Sequence, residues 1–221
     1  MTDTFDYLLN NDYLGISPED ICIRINSSDF DLVESISFLK KDIKIEYNSE
    51  PIECYKHIYG MNEEQITGRN FNIAIRKNGT DNYFDCAAII VMENPNKKIG
   101  IDMGIGNTSL SMCHFNENNT VAASRISDII KIDTNAKMRL ADSITAVATL
   151  LSEDVQNSES RHFRKKLKRY IHIMNYWKEY FCLSQQQLEK YIYDYLMLEY
   201  NLEIDLTENN IRKVLTYKRG E

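Results

Sequence analysis

The sequence predicts an α+β fold, and three observations carry that expectation. Residues 17–46 show helical signals, residues 70–116 break into short β-prone runs, and the chain turns helical from about residue 125 to its end. The order helix, sheet, helices argues against an alternating parallel architecture.

The elements follow in order. "SPEDICIRI" offers Ser17 as an N-cap, Pro18 at the first helical position and acids in the first turn. "DFDLVESISFLKKDI" spaces Phe30, Val33, Ile36 and Leu39 near a helical period, and "KIEY" (44–47) reads as a short strand. Next come "NFNIAIRK", "NYFDCAAIIVME", "KKIGIDMG" and "TSLSMCHFN". "NGTDN" and "NPNK" punctuate the first two junctions and the glycines at 104 and 106 the third, which predicts an antiparallel meander over about 70–116. Beyond it only "NLEID" (201–205) reads as a possible strand.

Composition narrows the function classes. The 221 residues suit one large domain or two small ones and are 43% apolar and 27% charged, as in soluble globular proteins. No apolar run is long enough to cross a membrane, and "MTDTFDYLLNN" lacks the order of a signal peptide, so a cytoplasmic location is expected. The net charge of −7 argues against a general nucleic-acid binder. Five cysteines without a C-x-x-C spacing signal neither a disulfide framework nor a zinc site, and they read as inert thiols. His57, His114 and His162 have no partner at ligand spacing and receive no role.

Three ordered segments carry more information than any single motif. They are "YGMNEEQITGRNFNIAI" (59–75), "FDCAAIIVMENPNKKIGIDMG" (84–104) and "LLSEDV…RYIHIMNYWKEYF" (150–181). Together they resemble the 4'-phosphopantetheinyl transferase superfamily in its larger, surfactin-synthetase-activating form. Tyr59-Gly60, Phe71-Asn72-Ile73, Gly100-Ile101-Asp102 and Lys178-Glu179 match its successive elements, and the resemblance spans roughly residues 16–182. Several positions depart from the pattern. Met61-Asn62 replaces a Lys-Pro, Ala74-Ile75 a Ser-His that helps hold coenzyme A, and Gly104 an acid. Asn175 stands where a Trp belongs, Leu183 where a second basic residue does, and the residues after Lys-Glu look helical where the family has strands. The resemblance thus implies a divergent member. It suggests an N-terminal half (1–98), a second half with the metal site (99–182) and a helical extension (183–221).

The implied reaction moves phosphopantetheine from coenzyme A to a serine of an acyl or peptidyl carrier protein, with Mg²⁺ neutralising the pyrophosphate. Asp102 and Glu179 would be the carboxylate ligands, with Glu179 also a base and Lys178 a phosphate partner. Asn107 is a third candidate oxygen ligand by proximity. Tyr59, Gly60, Asn72, Arg76, Lys165 and Lys168 are the candidates for holding the co-substrate.

Each assignment has a plainer counterpart. Asp102 can simply end a strand, and the charged side of the 161–181 helix can be a solvated face. Its Phe163, Leu167, Tyr170, Ile171, Met174, Trp177 and Phe181 form one stripe, which reads as core. Lys178 borders that stripe and can snorkel. "IGIDMGIGNTSLSM" also resembles the first phosphate loop of the actin and heat-shock-70 ATPase fold, although that loop opens its fold and here follows about 98 residues. Rossmann and P-loop patterns are absent. Two other classes stay open. One is a non-catalytic interaction protein on the same scaffold, for which "RHFRKKLKR" (161–169) suits an acidic protein partner. The other is a helix-turn-helix regulator built from 184–220.

Overall fold

The computed structural model describes residues 2–39, 42–55, 57–58, 65–202, 212 and 215–216. The chain divides into two compact units, Met1–Asn118 and Asn119–Glu221. This boundary lies after the meander, whereas the division at 98/99 suggested by the sequence falls inside its third strand.

The first unit is the α+β part. It contains α1 (Thr2–Leu9), β1 (Ile21–Asn26), α2 (Phe30–Ser35), β2 (Lys44–Asn48) and β3 (His57–Ile58). Then follow β4 (Thr67–Arg76), β5 (Tyr83–Asn94), β6 (Lys97–Ile105) and α3 (Asn107–His114). The sheet order is β2-β1-β4-β5-β6, with β3 pairing to the start of β4. β1 and β2 are parallel and the other pairs antiparallel. Strands β4, β5 and β6 form the expected antiparallel meander, and "KIEY" belongs to β2 as expected.

Two expected elements are different in kind. "SPEDICIRI" is not a helix: Pro18–Asp20 makes a single 3₁₀ turn and Ile21–Asn26 is a strand. Ile21, Ile23 and Ile25 recur with period two, and all three are buried on one sheet face opposite Ile75 and Ile73. That long-range pairing outweighs the local N-cap signals. "TSLSMCHFN" is not the last strand of the meander. Asn107–His114 forms α3, with Gly106 as N-cap and Leu110, Met112 and Cys113 buried. Nor does Asp102 end β6, which continues through Gly104 to Ile105.

The period-two alternation sorts the sheet into two faces. Phe71, Ile73, Ile75 and Ile89 join the isoleucines of β1 on the apolar face, with Leu32 and Ile36 of the α2 region also buried. The Thr4 hydroxyl on α1 lies 2.9 Å from Met103 Sδ on β6, which places α1 beside the same face. The opposite face carries Arg24, Glu46, Asn72, Asp85 and Asp102.

The second unit is helical: α4 (Asn135–Ser152), α5 (Arg161–Tyr180) and α6 (Gln185–Tyr200). Leu140, Ile144, Val147 and Leu151 from α4 pack with Leu167, Ile171 and Met174 from α5 and Leu188, Ile192 and Leu196 from α6. Tyr170, Trp177 and Phe181 pack at the margin of this core. Phe163 departs from the expected buried stripe and is 46% exposed, because it sits in the first turn of α5. Residues 203–205 of the possible strand at 201–205 lie outside the described residues.

α6 starts from a reciprocal capping box. Ser184 Oγ accepts from the Gln187 N–H at 3.1 Å, and Gln187 Oε1 accepts from the Ser184 N–H at 2.9 Å. Ser184→Ala is expected to lower the unfolding free energy of this unit by about 1 kcal/mol, measured as a lower urea midpoint with an unchanged slope.

Candidate functional site

The most concentrated chemical feature is the first half of α5. Six of the nine residues 161–169 are Arg or Lys, and no acid occurs between Glu159 and Glu179. At about 100° per residue, Arg161, Arg164, Lys165, Lys168 and Arg169 share one side of the helix, followed by His172 and Tyr176. All seven are exposed. Leu167, Ile171 and Met174 hold the opposite side in the core, so the cationic side must face outward. Arg161 to Arg169 rises about 12 Å at ~1.5 Å per residue.

Ordinary helix chemistry does not explain this arrangement. Cations in the first turn oppose the positive end of the helix dipole, and crowding them adds mutual repulsion. Ser160 makes no side-chain cap bond to offset either cost. Arg164 donates to the Ser158 carbonyl at 2.8 Å, and Lys166 lies 5.9 Å from the Phe163 ring centroid. The second unit carries 16 Lys and Arg against 14 Asp and Glu, whereas the first carries 10 against 19. The cationic cluster therefore belongs to the less acidic half of an acidic chain.

The other expected residues of α5 sit beyond the cluster. Lys165 and Lys168 lie on the cationic face itself. Glu179 is exposed near the C-terminal end. Lys178 is half-buried and donates to Gln185 Oε1 at 2.8 Å, tying α5 to the first residue of α6.

In the first unit, Asp102 is exposed on β6 opposite Ile90. On its own strand the neighbours on that face are Gly100 and Gly104, and a Cβ placed on Gly104 would meet nothing within 4 Å. Asn107 is the exposed first residue of α3. Among the described residues, no three His, Cys, Asp or Glu side chains gather as a metal site. Glu179, the other expected carboxylate ligand, belongs to the second unit. Tyr59 and Gly60 lie outside the described residues.

Asn72 and Arg76 occupy the polar face. Asn72 accepts from Asn70 at 2.7 Å and donates to Asp85 at 3.2 Å. Arg24 reaches Asp85 at 2.7 Å and Glu46 at 2.9 Å, and Lys44 together with Arg24 holds the Glu46 carboxyl down at about 2. Arg76 donates through Nε to Asp20 Oδ1 at 2.6 Å, and that ion pair raises the guanidinium pKa further. Arg76 and Asp20 line a cavity of about 550 Å³, together with Asn78, Thr80, Asp81 and His114. Its rim is the β4–β5 turn, in which Thr80 N–H donates to the Lys77 carbonyl and Gly79 adopts φ +73°. Arg76 and Asp102 pair with Tyr83 and Ile90 respectively on β5, which sets them about 20 Å apart at ~3.3 Å per residue. Arg76 and Asp102 therefore do not form one site.

Two features had no sequence signal. The cavity combines residues 15–20, 75–81 and 113–114, which only the fold brings together. The other is a buried ion cluster. Arg69 meets Asp29, Asp31 at 2.8 Å and Glu93 at 2.9 Å, and Lys98 adds 2.6 Å to Asp31. The thiols of Cys22, Cys86 and Cys113 are also buried, and burial pushes Cys22 up to about 11 and Cys86 up to about 12. These three are suited to packing rather than to nucleophilic chemistry.

No protein-family model matches the chain, and no curated protein matches it by sequence.

Proposed function

We propose that the protein is an interaction protein whose α5 helix binds an acidic protein partner. The carrying observation is the exposed face of Arg161, Arg164, Lys165, Lys168 and Arg169, of which Arg161 and Arg164 stand in the first turn, where cations are least favourable. An acidic protein fits better than a nucleic acid because the cluster is short, about 12 Å, on a chain with net charge −7. An acidic helix of similar length can engage the whole cluster. The test is a fluorescence-anisotropy titration with a labelled acyl carrier protein as the acidic probe. Binding that weakens as salt rises supports the reading. Preference for a labelled duplex oligonucleotide over the carrier protein rejects it in favour of the helix-turn-helix regulator.

A transferase of the phosphopantetheinyl class is the second reading. The exposed carboxylate of Asp102, on the same open sheet face as Asn72, favours it, and the cations of α5 suit a phosphate-rich co-substrate. This reading expects a mass gain of one phosphopantetheinyl group on a carrier protein incubated with the chain, coenzyme A and Mg²⁺, with Asp102→Ala abolishing the gain. An unmodified carrier protein that still binds leaves the interaction reading and removes this one.

A further inference from the structure

We infer that β6 is a self-association edge, at which two copies of this chain pair antiparallel about Ile101. β6 ends the sheet order, so its outer edge has no strand partner among the described residues. Gly106 N–H donates inward to the Cys86 carbonyl of β5 at 2.7 Å. The period of two then turns the N–H and C=O groups of residues 105, 103 and 101 outward. These groups are hydrogen-bonding capacity aimed at a further strand.

The side chains favour the same partner. Ile99, Ile101 and Met103 lie along the edge of the apolar sheet face and are 42%, 62% and 43% exposed. No proline or lysine interrupts residues 99–105. The lysines that blunt an edge sit before this stretch, at 97–98, and the register shift falls at its first residue, Ile99, between the paired Lys98 and Gly100.

The sequence itself selects a second copy as the occupant. Antiparallel pairing must place residues of the same face opposite each other, so only alternate registers are open. Centred on Ile101, Ile101 meets its own copy, Ile99 meets Met103 and Asp102 meets Gly100 of the second chain. Every apolar exposed side chain gains an apolar partner, and the one charge in the stretch meets a residue with no side chain. The register centred on Asp102 would oppose two carboxylates, which is destabilising. The pairing is isologous and closes with twofold symmetry.

The experiment uses the full chain. Sedimentation velocity at micromolar concentration is expected to show a dimer, and Ile101→Lys to return it to monomer with an unchanged circular-dichroism spectrum. Register is read by cross-linking in a Cys54→Ser/Cys182→Ser background, because those two thiols are exposed. A hydrogen-bonded antiparallel pair sets its Cα atoms about 5.5 Å apart, within disulfide reach. Ile101→Cys should therefore form a covalent dimer on oxidation, Ile99→Cys should not, and the Ile99→Cys/Met103→Cys double variant should. A wild-type monomer, a dimer that survives Ile101→Lys, or equal cross-linking at positions 99 and 101 would overturn the inference.

Discussion

Replacing Arg69 with Met is expected to remove about 3–5 kcal/mol of stability from the α+β unit, enough to unfold a marginal domain. The Arg69 side chain is 10% exposed and Asp29 3%, so the change leaves the Asp29 carboxylate buried without its cation. The measurement is chemical denaturation followed by circular dichroism. The paired variant Asp29→Asn should cost less, because it keeps the size of the side chain and removes the charge that needs Arg69. A loss below about 1 kcal/mol for Arg69→Met would show that the cluster is not the clamp joining α2 to β4 and β5.

The same cluster gives stability a pH dependence. Burial, together with the neighbouring Asp31, pushes Asp29 from its ordinary 3.8 up to about 6. Arg69 and Lys98 hold Asp31 well below the usual carboxylate range. Because the folded pKa of Asp29 is raised, its contribution is complete below about 4 and is lost as pH rises through about 6. The lowered pKa of Asp31 acts oppositely: its contribution is present above about 4 and is lost on further acidification. Support from the cluster is therefore greatest near pH 4 and falls as pH rises toward 6 and beyond. Asp29→Asn should flatten the stability profile between about pH 5 and 7, while wild type declines there.

Reversing three charges on α5, as Arg161→Glu/Lys165→Glu/Lys168→Glu, should reduce binding of an acidic protein by at least about 100-fold, since each reversal replaces attraction with repulsion. Stability should move the other way. Arg161→Glu puts a carboxylate at the helix N-terminus, where it is worth roughly 0.5 kcal/mol. Weaker binding with a higher melting temperature is hard to obtain from misfolding, so the two readouts together separate function from structure. Equal affinity in the reversed variant would leave the cationic face as a solvated surface.

Much of the fold was legible because its signals are local. The turns "NGTDN" and "NPNK" sit where β4, β5 and β6 reverse, and the apolar period of α5 names Leu167, Ile171 and Met174. Errors arose where local chemistry and long-range pairing disagree. Ser17-Pro18-Glu19-Asp20 carries the marks of a helix start, yet it supports only one turn before Ile21 pairs with Ile75. The polar, small residues after Gly106 look β-prone in isolation, but Leu110 and Cys113 find burial at helical spacing. The cationic face was readable because one helix carries all of it. The Arg69 cluster was not, since its partners lie 24 to 40 residues away along the chain. The cavity around Arg76 was hidden for the same reason, and its expected co-substrate role stands apart from Asp102 on the sheet.

The central claim is that α5 presents a recognition surface for an acidic protein. The most direct measurement is the anisotropy titration of a labelled acyl carrier protein with the full chain at low and physiological salt, run beside the α5 charge-reversed variant. The account predicts saturable binding that weakens with salt and disappears on reversal. Binding that is absent at low salt, or that persists unchanged in the reversed variant, would contradict it.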